Sequence, residues 1–374
     1  MGSRGGRGAA AQQAIEGLRE LAGAGLEAAE VFRTADQLLR DVLEFDAVCW
    51  HTADPATGLV NSVFSDDLSL SAFQDAVRLE VWADDVATFP KIRHSGVRAE
   101  ALSRVTQGRP ERSVRYREQI APAGFGDELR AVFDAHGGMW GCAAFMRSPD
   151  RGPYLGRQRE LADAAARHLG HALRACHLPG GGAVAGTSAG VAAAGPAGWA
   201  DPSDTGPAVL VFGAGNRLLG VSGPAEDLLA RLADPSRTGL GVPVAFAMAA
   251  EQARRAAHGL PASQTRVRVQ ARDGRWYVLH ASPLRGSAVG EVTVVAVPAG
   301  PAETMPLYLS AYGLTAREQE VALLLVRGCD TRDVSRLLAM KPYTVQDHLK
   351  SVFAKAGVAS RRELIARIML GGAG

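Results

Sequence analysis

Three polar residues near the carboxyl end of the chain, Gln346, Asp347 and Lys350, have the chemistry and spacing of residues that read base pairs. Gln and Lys donate hydrogen bonds to base acceptors in the major groove of DNA, and Asp accepts one from the amino group of cytosine. From Val345 to Phe353, apolar residues recur at i, i+4, i+7 and i+8. This pattern predicts a helix that turns one side to a core and the polar groups to DNA.

The chain before this helix predicts two shorter helices that hold it in place. The first has a clear start signal, because Thr315 can cap the chain while Glu318, three residues on, reaches back in a capping box. Gly328 is expected to end this helix. Its core-facing residues recur at helical spacing, and they are Val321, Leu324 and Leu325.

The second short helix begins at Asp330 or Thr331, since either side chain can accept a hydrogen bond from the unpaired amides of the first turn. Pro342 then suits the first position of the base-reading helix, because its fixed φ and missing N–H donor cost nothing there. The residues expected to face inward from the second helix are Val334, Leu337 and Leu338.

The charge balance of this region favours contact with phosphates. Residues 305–374 carry ten Lys and Arg against six Asp and Glu, whereas the whole chain has a formal net charge of only +2. A compact basic module attached to a nearly neutral chain is typical of a local DNA-binding unit. The alternative is a helical bundle that serves only for dimerisation or docking. The polar composition of the exposed side of the third helix favours DNA.

Short segments at fixed spacings carry a resemblance to a known family. They are Gly313–Val321, Gly328, Thr344–Val345 with His348–Lys350, Lys355–Val358 and Ser360–Leu364. Together they resemble the LuxR-type helix-turn-helix of bacterial transcription regulators, and a match spread over about fifty residues is more specific than a single short motif.

The resemblance implies roles for individual residues. Gln346, Asp347 and Lys350 occupy the positions that meet base edges. Lys341 stands where the family usually has Ser, which removes an N-cap worth about 1 kcal/mol. The positions that contact phosphate or support the recognition helix are Thr344, His348, Lys341, Lys355 and Arg361. The final helix is similar to the family's dimer-forming helix through Leu364, Ile365, Ile368 and Met369.

The amino-terminal half predicts an α+β domain. Its expected elements are a helix over 26–43, a strand over 45–51, a turn over 54–58, a returning strand over 59–64, a strand over 141–146 and a helix over 156–175. The segments 112–117 and 124–130 are similar to those of GAF-type sensory domains that precede LuxR-type modules. Two roles stay open for this domain, which are ligand sensing and the dimerisation or bracing of its neighbours.

A second α+β domain is predicted after a Gly/Ala-rich stretch. Strands are expected over 208–212, 217–221, 265–271, 276–282 and 291–297, and helices over 225–233 and 246–258. This order of elements resembles a PAS-type domain. Gly213 and Gly215 do not make a dinucleotide site, because Leu218 stands where a third glycine is needed and a strand follows where a helix should.

Length and composition limit the organisation of the chain. With 374 residues, 47% of them hydrophobic, it is long enough for two or three cores. The predicted parts are a disordered or helical tail over 1–24, a GAF-like domain over 25–177, a linker over 178–206, a PAS-like domain over 207–299 and a four-helix LuxR-type unit over 304–370. No membrane span is expected, since the uncharged stretch 180–200 lacks the large aliphatic residues that a bilayer favours.

Other chemistry has weak support in the sequence. The chain has no Gly-Lys dipeptide for a phosphate-binding loop, and we expect neither enzymatic activity nor a cofactor. The spacing of His168, His171, Cys176 and His177 matches no standard metal site. Trp50 and Trp140 are expected to pack in a core rather than line a pocket. A run of arginines is expected to form a solvated face, with a second anion-binding patch as the alternative, and it comprises Arg104, Arg109, Arg112, Arg115 and Arg117.

The sequence therefore predicts a homodimeric transcription regulator. It also predicts a cytoplasmic location, since four widely separated cysteines suit a reducing compartment. Its predicted partner is promoter or operator DNA, with one third helix per half-site in successive major grooves. RNA polymerase is a further candidate partner, and any small-molecule ligand stays unidentified. The rival hypothesis is a sensory adaptor that acts through protein partners.

Overall fold

The computed structural model describes residues 3–68, 73–178, 206–232, 242–261, 265–286 and 290–370. They form two α+β units and a carboxyl-terminal bundle of helices. We call the described residues up to 178 the first unit, those from 206 to 299 the second unit and those from 300 to 370 the helical bundle. The linker predicted over 178–206 lies almost entirely outside the described residues.

The first unit contains a four-stranded antiparallel sheet. Its strands are β1 (Ala47–Thr52), β2 (Ala99–Ala101), β3 (Asp127–Ala135) and β4 (Gly138–Arg147). They lie in the order β1-β4-β3-β2. Its helices are α1 (Ser3–Glu20), α2 (Ala28–Leu43), α3 (Phe73–Trp82), α4 (Phe89–His94), α5 (Leu102–Val105) and α6 (Gly156–Ala175).

One face of this sheet packs against α2 and α6. Phe32 of α2 stacks on Trp50 of β1 with ring centroids 5.4 Å apart, and Leu169 of α6 is fully buried in the same core. Trp140 is also fully buried there, and its indole N–H donates to the Ala135 carbonyl at 2.9 Å. Both tryptophans therefore pack in the core, as predicted, because the one polar atom of Trp140 finds a partner.

The strand predicted over 59–64 does not form. The segment makes only two isolated bridges, which pair Trp50 with Phe64 and Ala53 with Val60. Between these bridges the Thr52 hydroxyl donates to Asn61 Oδ1 at 2.6 Å. The prediction was wrong because short polar side chains compete with the backbone for hydrogen bonds and interrupt the ladder.

The second unit contains a five-stranded antiparallel sheet. Its strands are β5 (Ala208–Phe212), β6 (Leu218–Val221), β7 (Arg266–Gln270), β8 (Trp276–Pro283) and β9 (Val292–Pro298). They lie in the order β6-β5-β9-β8-β7, so the first strand of each unit pairs with the last strand of that unit. The helices of the second unit are α7 (Gly223–Arg231) and α8 (Val244–Ala257).

Helix α8 joins the two α+β units. It is almost completely buried, because it packs between the second sheet and α3 of the first unit. Trp82 of α3 donates from Nε1 to Glu251 Oε2 of α8 at 2.7 Å, and its ring meets His258 edge-on at 5.5 Å. The apolar core of the second unit is therefore continuous with one side of the first unit.

Arg268 of β7 lies where all three parts of the chain meet. Its backbone N–H and its Nε both donate to Asp54 Oδ2 of the first unit, at 3.0 and 3.1 Å. Its Nη1 donates to the Glu303 carbonyl of the bundle at 3.0 Å. Arg268 is 6% exposed and Asp54 is 1% exposed. Such a buried pair tolerates the loss of one partner poorly, because the other charge is left uncompensated.

The helical bundle contains five helices. They are α9 (Pro301–Ala311), α10 (Ala316–Val326), α11 (Thr331–Leu337), α12 (Pro342–Ala356) and α13 (Arg361–Leu370). The last four correspond to the four helices predicted from the sequence. Helix α9 was not predicted, and it packs against α10 and α13. Among the described helices of the whole chain, none is long and apolar enough to cross a membrane.

Candidate nucleic-acid interface

Helix α12 is held by apolar residues along one side. Val345, Leu349 and Val352 are buried beside Val321 and Leu325 of α10. Because these residues recur every three or four positions, their packing determines the rotation of α12 about its axis. The opposite side of the helix therefore faces solvent.

Gln346, Asp347 and Lys350 are all exposed on that side. The side chains of Asp347 and Lys350 are 70% and 78% exposed, and their charged atoms lie 3.7 Å apart. A surface ion pair of this kind is worth at most about 1 kcal/mol. Both groups are therefore available to a partner. The structure brings the three predicted base-reading residues together on one open surface.

The caps predicted for these helices are present. Thr315 and Glu318 form a reciprocal capping box at the start of α10. The Asp330 carboxylate accepts from the Asp333 amide at 2.8 Å at the start of α11. Lys341 occupies the N-cap position of α12 and makes no side-chain cap there, as a Lys in place of Ser predicts.

Glu318 also connects α10 to α12 across the bundle. Its Oε1 accepts from the Ser351 hydroxyl at 2.6 Å, and its Oε2 accepts from Lys355 Nζ at 2.6 Å. Burial by itself would raise the pKa of Glu318, but the hydrogen bonds from Lys355, Ser351 and Thr315 lower it to about 2. A single carboxylate thus fixes the carboxyl-terminal half of α12 against the start of α10.

This connection was missed in the sequence, where Glu318 had only the role of a capping residue. Its partners lie 33 and 37 residues further along the chain, and no local pattern links residues at such a separation. Lys355 was predicted to support the recognition helix or contact phosphate. In the structure its ammonium group is bound to Glu318, and its side chain is 35% exposed.

Replacement of Glu318 tests this connection. The pKa of Glu318 lies below its ordinary value of 4.5, so its stabilising contribution is present above about pH 5 and is lost as the pH falls towards 2. We expect Glu318→Gln to lower the free energy of unfolding by about 1.5–3 kcal/mol at pH 7, since hydrogen bonds to a charged group are lost. The difference from the unmodified protein should shrink between pH 5 and pH 2.5, measured by thermal unfolding.

Glu320→Gln provides the matched control on the same helix. Glu320 is half exposed, and it forms an ion pair with Arg317 on the surface of α10. We expect its loss to change stability by less than about 1 kcal/mol at any pH. Equal effects of the two substitutions would contradict the role assigned to Glu318.

The other predicted support positions lie around α12. Arg361 donates from Nη1 to the Cys329 carbonyl at 3.2 Å and from Nη2 to the Leu325 carbonyl at 2.7 Å. Leu325 lies in the last turn of α10 and Cys329 lies just beyond the helix, and a positive charge is favourable at this end of a helix. Arg361 therefore joins the start of α13 to the end of α10. Thr344 and His348 are half-buried along the flank of α12.

The four residues predicted to form a dimer contact lie on α13. Leu364 and Ile368 are 0% and 3% exposed and pack in the core of the bundle itself, covered by α9. Ile365 is half-buried, and the side chain of Met369 lies outside the described residues. The dimer contact through this helix stays a prediction.

Leu337 is a correction to the predicted core. It is 58% exposed, although the helical spacing from Val334 predicted that it faces inward. Leu338, which was also predicted to face inward, is partly buried against the core. Helix α11 itself ends at Leu337 after seven residues, so its contact with the core is short. Val334 is fully buried and makes that contact.

The arginine run of the first unit is not a single solvated face. Arg115 is 3% exposed, and its guanidinium lies 2.7 Å from Glu128 and 3.4 Å from Asp85. Arg104 pairs with Glu100. The prediction was wrong for Arg115 because its acidic partners, which allow burial of the charge, are distant in sequence.

The histidines near the end of α6 pack against other rings. His171 meets His136 at 5.5 Å between ring centroids, and His177 lies 5.2 Å from Trp140 and 5.5 Å from Trp276. Over the part of the chain that the structure describes, no group of three or more His, Cys, Asp or Glu is arranged to hold a metal.

Comparison with known proteins assigns a family to one segment of the chain. Residues 313–368 match the family described as "Bacterial regulatory proteins, luxR family". The match begins just before α10 and ends within α13. This segment, which contains the exposed side of α12, is therefore a LuxR-type helix-turn-helix domain.

Two mycobacterial proteins share a short segment with the chain. "Putative HTH-type transcriptional regulator Mb0914c" of Mycobacterium bovis and "Putative HTH-type transcriptional regulator MT0914" of Mycobacterium tuberculosis are each 42% identical over 52 residues. The shared segment is 14% of this chain, and the chain spans only 6% of the length of each relative.

Solved structures show partial likeness to the chain. The phage VqmA–DPO complex is 18% identical over 44% of this chain and 82% of its own, with a TM-score of 0.24. The Vibrio cholerae VqmA dimer without target DNA is 17% identical over 45% of this chain and 83% of its own, with a TM-score of 0.20. Scores this low do not indicate a shared overall arrangement.

Proposed function

We propose that this chain is a sequence-specific DNA-binding transcription regulator in which α12 enters the major groove of the operator. Gln346 and Lys350 donate to base acceptors there, and Asp347 accepts from cytosine. The observation that carries the proposal is the open polar side of α12, whose rotation is determined by a capped and packed bundle. The family match over residues 313–368 supports the same role.

Phosphate contacts complete the proposed interface. Lys341 is exposed at the N-cap of α12, and a cation beside the positive end of a helix favours a phosphate group. Thr344 and His348 support the same end of the helix. Lys355 reaches a phosphate only when its ion pair with Glu318 opens, so we assign it first to the support of α12.

We propose further that the two α+β units are GAF-like and PAS-like and that they control a cytoplasmic homodimer. The shared strand pattern of the two sheets supports this proposal, because each unit pairs its first strand with its last. Arg268 provides a contact through which both units reach α9. A signal in either unit can therefore change how the bundle is presented to DNA.

Selection of duplexes from a random pool by the full chain tests the proposal. We expect one sequence to be enriched, because base contacts discriminate against each wrong base pair by about 1–3 kcal/mol. A two-fold repeat in the selected sequence would support the dimer. A pool that stays random after several rounds contradicts base reading and favours the adaptor hypothesis.

A further inference from the structure

A cavity of about 330 Å³ lies between the first sheet and helix α8 of the second unit. This volume is within the range of small-molecule binding sites. Its floor is one face of the sheet, where Cys49, Ala144 and Arg130 lie side by side on β1, β4 and β3. Because side chains alternate along a strand, this face is opposite to the one that packs on α2 and α6.

The walls of the cavity are mostly apolar, and both α+β units contribute to them. The first unit supplies Val60, Leu68, Val77, Phe89, Ile120 and Phe125. The second unit supplies Val244 and Met248 from α8, which are 1% and 5% exposed. A molecule in the cavity therefore touches the first sheet and the helix that joins it to the second sheet.

The charges that line the cavity are predominantly negative. Four carboxylates line it, from Asp75, Glu80, Glu118 and Glu128, and Arg130 is the cation beside them. The charge of Arg130 is already satisfied, since its guanidinium donates to Glu80 at 2.6 Å and to Glu128 at 3.0 Å. Each of the four carboxylates also has a cationic partner, because Glu128 contacts Arg115 as well, and Asp75 and Glu118 both contact Arg78. Four carboxylates against three guanidinium groups leave a surplus of one negative charge, which disfavours an anionic ligand.

Two buried ionisable groups keep this balance at neutral pH. Burial lowers the pKa of His51 to about 3, with a smaller contribution from the positive charge of Arg130, so this imidazole adds no positive charge. Burial by itself would raise the pKa of Glu128, but Arg115 and Arg130 hold it below its ordinary value. Glu128 therefore stays ionised, and the cavity keeps its negative surplus.

The rim of the cavity offers a place for a positively charged group. The side chains of Asp75 and Glu118 are 66% and 45% exposed, and both approach Arg78, at 3.6 and 2.7 Å. An ammonium group at this rim keeps part of its hydration, so it avoids the large cost of a buried charge. The apolar remainder of the same molecule fits the chamber below.

We propose that this cavity binds a compact, largely apolar molecule that carries one amine, and that occupancy couples the first unit to the second. The apolar part contacts Phe89 and Met248, and the amine faces Glu118. A ligand that bridges the sheet and α8 stabilises their docked arrangement over any arrangement in which they separate. The regulatory role of the cavity rests on the proposed DNA-binding function. Binding of a ligand in the cavity is measured without DNA.

Three probes that share one apolar body test the proposal on the full chain, and they are 4-phenylbutylamine, 4-phenylbutanol and 4-phenylbutyrate. Isothermal titration should show the amine binding at least about tenfold more tightly than the carboxylate, with the alcohol between them. Met248→Trp, which fills the cavity from α8, should abolish binding of all three. Ala257→Trp, on the exposed end of the same helix, should leave it unchanged.

A milder variant keeps the test valid if Met248→Trp fails to fold. Glu118→Gln changes a half-exposed side chain, and it should weaken the amine without affecting the alcohol. Equal affinities for amine and carboxylate, no measurable binding of any probe, or full binding by a folded Met248→Trp protein would each overturn the proposal. Failure of duplex binding by the same protein would instead bear on the DNA-binding function alone.

Discussion

The variant Gln346→Ala/Lys350→Ala should lose most of the preference for the selected duplex while it keeps its weak affinity for other DNA. Each base-reading contact contributes about 1–3 kcal/mol of discrimination, so the two together contribute about 2–6 kcal/mol. The ratio of affinities for the selected and a scrambled duplex should fall roughly 30-fold or more. Fluorescence anisotropy with both duplexes at one salt concentration measures this ratio.

Arg336→Ala is the matched control for the loss of a positive charge. Its side chain is 78% exposed, as is that of Lys350, but it lies on α11 and not on the base-reading helix α12. We expect this variant to weaken both duplexes alike, because a phosphate contact carries no sequence information. An unchanged affinity ratio in the double variant would remove Gln346 and Lys350 from base reading.

Arg268→Ala should destabilise the whole chain more than Glu318→Gln does. The change leaves the carboxylate of Asp54, which is 1% exposed, without its cation. The cost of breaking such a buried pair is about 3–5 kcal/mol. Urea unfolding followed by tryptophan fluorescence should show this loss of stability as a lower urea concentration at the midpoint of unfolding.

Arg266→Ala on the same strand separates this effect from the loss of any arginine. Arg266 is 44% exposed and lies 3.7 Å from the Glu303 carboxylate, so its loss should cost less than about 1 kcal/mol. The double variant Asp54→Ala/Arg268→Ala should lose less free energy of unfolding than the two single variants lose together, because neither charge is left unpaired. Additive losses would show that the pair is not coupled.

Elements with a strong periodic pattern were predicted well from the sequence. The helix expected over 156–175 and the strand expected over 208–212 coincide with α6 and β5. The capping signals at Thr315 and Asp330 also predicted the starts of α10 and α11. These features depend on residues within one or two turns, and local chemistry is sufficient for them.

Features that depend on distant partners were not predictable. The bonds from Ser351 and Lys355 to Glu318 join residues on different helices, and Leu364 and Ile368 are buried because of α9, which lies some fifty residues earlier in the chain. Both follow from packing, which periodicity does not report. The cavity between the first sheet and α8 is missed for the same reason, since its walls come from separate units.

The affinity of the full chain for its selected duplex, measured over a range of salt concentrations beside a scrambled duplex, tests the central claim most directly. If α12 reads bases while Lys341 and its neighbours contact phosphates, log affinity should fall linearly with log salt for both duplexes. The selected duplex should bind about 10³-fold more tightly or better at every salt concentration. Equal affinity for the two duplexes, or no salt-dependent binding to either, would contradict the account.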